Sequence, residues 1–468
     1  MKHLYFFLIC FSLISCSLIP PAERLLEPQE EKLGTDGSTT MLFHSALYYP
    51  SEITLTFPGF ILGIEKSPIR KITRDGDIKI KAIPESGLSK EELRDEVVDA
   101  KILFVSHIIE TFGEYHGLKN CARYNAYYRK NQKKPAPPVS FCEIPEPEYE
   151  EVPPDEAYIS SWKAMKILKE IIEGKIEKHT HVVVVTMGWN TVQEEAIRNF
   201  NSIMKNLRQA VLNDDRLKHL KGDKLKQAKE ADKLFNPLFI GVTWPSQWAA
   251  KWVEPIVRAA SFPWKAHDAD EVGLTWLGVL LHETLANVSK PIVAIGHSFG
   301  ARATSVAACI GPAITNTVSE TESKLNDKGI DYLINLQGAY RTSRLIGKHR
   351  EGKPKYANNC NKVKRIILTS SEMDSAMDTL FWRRDKYAGD DESYEKHCGN
   401  GSDVIRCAKA EWNGNFETTN NANSHITYIN SNDLINKNSY LSGGNAHSDI
   451  YRAEHGNLLW NILSSGNH

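Results

Sequence analysis

The chain has 468 residues, 25% charged and 41% hydrophobic, with a formal net charge of -1. That length suits two or three domains, or one long α/β unit with insertions. The charge balance supplies no basic field for nucleic acid or for an acidic membrane surface, so neither is expected as a partner of the folded part.

Lys2 and the apolar run Leu4 to Ile14, too short to span a bilayer, read as a signal peptide over residues 1–15. It ends in Leu13-Ile14-Ser15-Cys16, which resembles a bacterial lipobox. The resemblance implies cleavage before Cys16, lipidation of Cys16, and an exported lipoprotein of the bacterial cell envelope, attached through its lipid to the inner or the outer membrane. A plain secretory signal or an uncleaved anchor is the alternative. Export puts the remaining cysteines in an oxidising compartment. Cys121 with Cys142 and Cys398 with Cys407 are the pairs closest in sequence, while Cys309, among Val306, Ala307 and Ala308, reads as a small buried apolar residue.

Residues 16–38, with Pro20, Pro21, Pro28 and several glutamates, form a flexible tether. Over 39–130 the short apolar runs Ile53 to Phe57, Phe60 to Ile64, Ile78 to Ile83 and Ile102 to Ile109, and a helix from near Ser89, read as antiparallel strands and a helix added to the leading edge of a main sheet. The Pro/Glu-rich stretch 131–155 excludes helix and central strand and is a surface connection, or an extended docking segment. From 156 to 468 helix and strand alternate. Helices are expected over Trp162 to Ile176, Glu194 to Val211, Glu271 to Val288, Phe299 to Ile310 and Tyr451 to Leu463, and strands over His181 to Thr186, Leu238 to Val242, Ile292 to Ile295, Tyr332 to Leu336 and Val363 to Thr369. This predicts an α/β fold with a mostly parallel, doubly wound sheet, helices on both faces, and a ligand site at the carboxyl ends of the strands. Leu217 to Phe235 reads as a solvated, Lys-rich helical insertion. The tryptophan-rich stretch holding Trp244, Trp248, Trp252, Trp264 and Trp276 either packs in the core or covers the site as a lid.

The chemistry centres on Gly296-His297-Ser298-Phe299-Gly300, lying between a strand and a small-residue helix. That context makes it a nucleophile elbow, with Ser298 on a turn so tight that glycines must flank it. A serine needs a base and an orienting acid, which follow it in chain order on this kind of sheet. Asp374, just past the strand ending at Thr369, is the candidate acid, with Glu372 and Asp378 as near alternatives and a helix-capping role as the bland one. His447, in a glycine-rich loop before the last helix, is the candidate base, with His455 and His425 as alternatives. The oxyanion donors are read as the backbone N–H groups of Phe299 and of Trp189, in the loop Met187-Gly188-Trp189-Asn190. No cofactor and no metal is called for; His179-Thr180-His181 precedes a strand with no carboxylate and histidine cluster to complete a metal site.

Gly188-Trp189-Asn190, Trp244-Pro245-Ser246, the elbow, Ser371 to Met377 and His447-Ser448-Asp449 occur in the order of a bacterial α/β-hydrolase-fold family of uncharacterised esterase- or lipase-like proteins, which residues 160 to 465 resemble. The resemblance implies an α/β-hydrolase fold and the triad Ser298, Asp374 and His447. This chain departs from the pattern at Met187, where the family usually has histidine. The expected function is an exported, lipid-anchored serine hydrolase cleaving small-molecule or lipid carboxylic esters. The alternative is a non-catalytic surface protein of the same fold that binds a lipid or a protein partner.

Overall fold

The computed structural model describes residues 55–67, 102–113, 120–126, 141–142, 157–246 (without 190, 192, 221 and 245), 266–314 (without 267), 329–346, 356, 360–374, 386–399, 404–437 and 446–465. The signal peptide with Cys16, the tether, most of the Pro/Glu-rich connection, Trp248, Trp252, Trp264, Asn190 and Asp378 lie outside these residues.

The described strands form one eleven-stranded sheet in the order β10-β9-β11-β8-β7-β6-β4-β5-β1-β2-β3. Its centre is β4 (His181–Thr186), β5 (Pro237–Thr243), β6 (Ile292–His297), β7 (Ile330–Leu336) and β8 (Val363–Ser370), all parallel. Val, Ile and Leu dominate these strands because both faces are covered. Val182, Val184, Ile292 and Ala294 point into one apolar layer, and Val183, Val185, Val293 and Ile295 into the other. Each fully buried side chain of this size contributes about 1.5–3 kcal/mol.

The first layer is closed by α1 (Ala157–Lys175) and by the elbow helix α5 (Phe299–Cys309); the second by α2 (Gln193–Leu212) and the C-terminal helix α7 (Ala453–Ser464). The sheet is therefore wound on both faces. On one edge β1 (Pro58–Ser67) runs parallel to β5, and β2 (Ile102–Phe112) and β3 (Cys121–Asn125) add antiparallel strands. The apolar runs at Phe60 and Ile102 mark β1 and β2, whereas Leu55 to Phe57 precedes β1 as irregular chain. The other edge was not expected from the sequence: α6 (Asp391–Cys398), then β9 (Arg406–Ala410), β10 (Phe416–Thr418) and β11 (Ile426–Asn430), with β11 parallel to β8.

Two expectations need correction. The helix expected over Glu271 to Val288 is broken: 268–274 is helical, Thr275 is a turn, α4 is only Trp276–Val279, and a π turn covers Leu280–Thr284. Thr275 Oγ1 donates back to the Glu271 carbonyl at 2.7 Å, a bond that bends helices. The Trp276 indole is meanwhile tied to the Leu103 carbonyl at 2.8 Å and set edge-on to Trp162. Cys309 is the second correction. It is buried as expected, but it is bonded to Cys360, alongside the disulfides Cys121–Cys142 and Cys398–Cys407. The partner lies 51 residues on, too far for neighbouring residues in the sequence to signal it.

The Lys-rich insertion is two pieces, a 3-10 turn Asp215–Leu220 and α3 (Lys224–Leu234), capped by Asp223 accepting from the Lys226 N–H. Most of it is solvated, but Leu217, Leu220, Ala231 and Phe235 are buried. No helix among the described residues is long and apolar enough to cross a membrane.

Candidate active site

β4 and β6 are neighbours, but the chain leaves them in opposite directions: β4 leads through α2 to β5, and β6 leads through the elbow helix to β7 on the other side. Loops at such a divergence leave a crevice at the carboxyl ends of the strands. The loop after β4 and the turn after β6 are the two stretches in which the sequence showed chemistry.

Ser298 follows β6 directly with φ 57° and ψ -124°, a backbone state that costs a non-glycine residue about 1–3 kcal/mol. Its surroundings enforce the state. The Ser298 N–H donates to the Leu336 carbonyl at 3.1 Å, and its carbonyl accepts from Ala301 and Ala339, each at 3.1 Å. The elbow helix α5 (Phe299–Cys309) starts at once. The two flanking glycines are required by contact: a Cβ on Gly296 would stand 2.4 Å from Ala301 Cα, and one on Gly300 would stand 2.2 Å from the Thr186 carbonyl oxygen.

The expected oxyanion loop reaches Ser298 through Gly188, where a Cβ would lie 2.8 Å from Ser298 Cβ. Trp189, in the turn that follows, sets its ring 6.1 Å from that of Phe299, so the two expected N–H donors sit on elements that meet at the nucleophile. Met187, where the resemblance leads to an expectation of histidine, has its side chain buried in the second apolar layer. The loop is pinned instead from β5: Trp244 Nε1–H donates to the Met187 carbonyl at 2.7 Å, and Ser246 Oγ donates to the Thr191 carbonyl at 2.9 Å and accepts the Thr191 N–H at 3.2 Å. Trp244 is fully buried in this role, so of the two readings of the tryptophan-rich stretch it takes the core one, as does Trp276.

His447 stands on a 3-10 turn, Ala446–Tyr451, rather than in an open loop. Its Nδ1 bonds Asp374 Oδ2 at 2.7 Å, with the carboxylate buried and the imidazole slightly exposed. The ring lies 4.3 Å, centre to centre, from that of His297, the neighbour of Ser298. Asp374 follows β8 by a short turn, and the same Oδ2 accepts from Gln337 Nε2 at 3.1 Å. Sequence reading missed Gln337. It is buried just past β7 with φ 47°, and its Oε1 accepts from Thr369 Oγ1 at 2.7 Å, so its amide is aimed at the acid. Asp449, two residues after His447, is buried and accepts the Lys437 N–H at 2.9 Å, joining the two ends of the stretch that leads into the histidine turn.

The alternatives separate by position. Glu372 is exposed, whereas Asp374 is buried against His447. His425 precedes β11 at the amino edge of the sheet, away from the crevice, as do His179 and His181 at the start of β4. His455 is fully buried in the first turn of α7.

Buried histidines give this region a pH signature. Burial lowers His107 and His455 to about 4, and it holds His297 well below the usual histidine range, with the neighbouring His447 adding to the effect. The unfolded chain takes up these protons near pH 6.5 and the folded chain does not. Stability is thus fully present above pH 6.5 and is lost as pH falls toward 4, by about 3 kcal/mol each for His107 and His455. Chemical denaturation followed between pH 7.5 and 4.5 is expected to show stability level down to about pH 6.5 and falling with acid below it; a profile that stays flat to about pH 4.5 would contradict the burial of these rings.

No family model, no curated protein and no solved structure matches the chain, so the function rests on this geometry.

Proposed function

We propose that the chain is a serine hydrolase of the α/β-hydrolase fold, akin to the bacterial esterase- and lipase-like proteins it resembles, that cleaves carboxylic esters through an acyl-enzyme. The observation that carries this reading is the His447 Nδ1 bond to buried Asp374, 2.7 Å, on a turn whose imidazole lies against the residue preceding a strained Ser298.

In this reading His447 Nε2 takes the Ser298 hydroxyl proton as Oγ attacks the ester carbonyl. Asp374 keeps the Nδ1 proton in place and stabilises the imidazolium, and Gln337 holds the carboxylate. The tetrahedral oxyanion takes hydrogen bonds from the Phe299 and Trp189 N–H groups, the former at the positive end of α5. Collapse returns the proton to the departing alkoxide and leaves the acyl group on Ser298; water, deprotonated by His447, then releases the acid and restores the serine. The triad and two backbone donors suit an ester without any cofactor. Cys16 anchors the enzyme through lipid to the envelope membrane after export, and the three disulfides among the described residues support an oxidising location.

The test is turnover of short-chain nitrophenyl esters by the full chain. Ser298→Ala is expected to lower kcat by about 10⁴-fold or more without unfolding the protein. Turnover that persists undiminished in that variant would remove the hydrolase reading.

A further inference from the structure

The role of His297 is set by what grips it. Its Nε2 lies 3.1 Å from the His447 carbonyl oxygen, and its Nδ1 lies 3.2 Å from the Tyr451 hydroxyl. A carbonyl only accepts, so Nε2 carries the ring's proton. The ring is neutral, because burial disfavours its charged form, and Nδ1 therefore accepts from the Tyr451 O–H. The tyrosine ring stands edge-on to His297 at 5.7 Å, while the His447 ring lies 4.3 Å away, tilted by 39°. His447 and Tyr451 belong to the same 3-10 turn, so one turn holds both nitrogens of one imidazole. That imidazole is bonded through the chain directly to Ser298.

We propose that His297 is a positioning residue for the base: its Nε2–H fixes the His447 backbone, and its ring face sets the plane of the His447 imidazole relative to Ser298. This rests on the serine-hydrolase reading and adds a residue to it. Simple filling of space does not account for the arrangement, since an apolar ring would fill the site without two buried polar atoms that have to be matched. Asp374 orients the side chain of the base from one side. His297 fixes its main chain from the other. A base held at two points keeps Nε2 at the nucleophile, and displacement by about 1 Å costs roughly 100-fold in rate.

The experiment uses the full chain, with kcat for nitrophenyl acetate expressed per site titrated by a fluorophosphonate. His297→Phe keeps the bulk and removes the donor; kcat is expected to fall about 30- to 100-fold with KM within about three-fold. His297→Gln puts an amide N–H where Nε2–H stands and is expected to recover kcat to within about five-fold of the native protein. Tyr451→Phe removes one oxygen and is expected to lower kcat about ten-fold, and it decides the question alone should His297→Phe not fold. A kcat per site within two-fold of native in Tyr451→Phe and His297→Phe overturns the proposal, as does a Gln variant no better than the Phe variant. Activity that does not depend on Ser298 in the native protein is a different failure, that of the hydrolase reading itself.

Discussion

Asp374→Asn is expected to lower kcat by about 10⁴-fold while the protein stays folded and its KM changes little. Two donors converge on the carboxylate oxygen Oδ2, the His447 Nδ1–H and the Gln337 amide. An amide nitrogen turned toward them has no lone pair to offer, so His447 is driven to carry its proton on Nε2, where it can no longer accept one from Ser298. An amide oxygen turned toward them keeps the tautomer and still lacks the negative charge that stabilises the imidazolium. The first orientation removes the base and the second leaves its imidazolium without the stabilising charge. The shape of the side chain is unchanged, so melting followed by circular dichroism should shift by a few degrees at most, and single-turnover kinetics should locate the loss in acylation. A reduction of less than ten-fold would mean that the Asp374–His447 pair is structural.

Gly188→Ala is the second large effect. Alanine is free to adopt the backbone at this position, which is not in the left-handed region, so the cost is one of contact. The new methyl would stand 2.8 Å from Ser298 Cβ and 3.1 Å from the His297 carbonyl oxygen, both distances that force movement. What moves is either the nucleophile or the loop carrying Trp189, and both alter the spacing between Oγ and the oxyanion donors. A loss of about 100-fold in kcat is expected, with a stability change of about 1–3 kcal/mol. Kinetics and denaturant unfolding on the same preparation separate the two, and unchanged kcat would show that the loop after β4 takes no part in the site.

Much of the fold was legible because its central strands are written as short apolar runs, β4 with four consecutive valines, and several of its helices as amphipathic periods. The elbow was legible because its two glycines sit where backbone from the next element comes within touching distance. Gln337 was not, since a glutamine past a strand carries no pattern; its role depends on Asp374 arriving from β8. Trp244 and Ser246 formed a recognisable motif, but the task they perform, clamping Met187 and Thr191, appears only when β5 lies beside β4. The edge strands β9 and β10 are short and partly exposed, so they lack the apolar run that marks a central strand. The Cys309–Cys360 bond joins the end of α5 to the stretch before β8, a proximity that only the folded chain creates.

The central claim is that Ser298 is a nucleophile activated by His447. Its most direct test is to treat the full chain with a fluorophosphonate and locate the adduct by tandem mass spectrometry. The expected result is a single stoichiometric adduct on Ser298 that disappears on heat denaturation before treatment and is strongly slowed in His447→Ala. A folded native protein that takes no adduct, or that takes it on another residue, would contradict the claim.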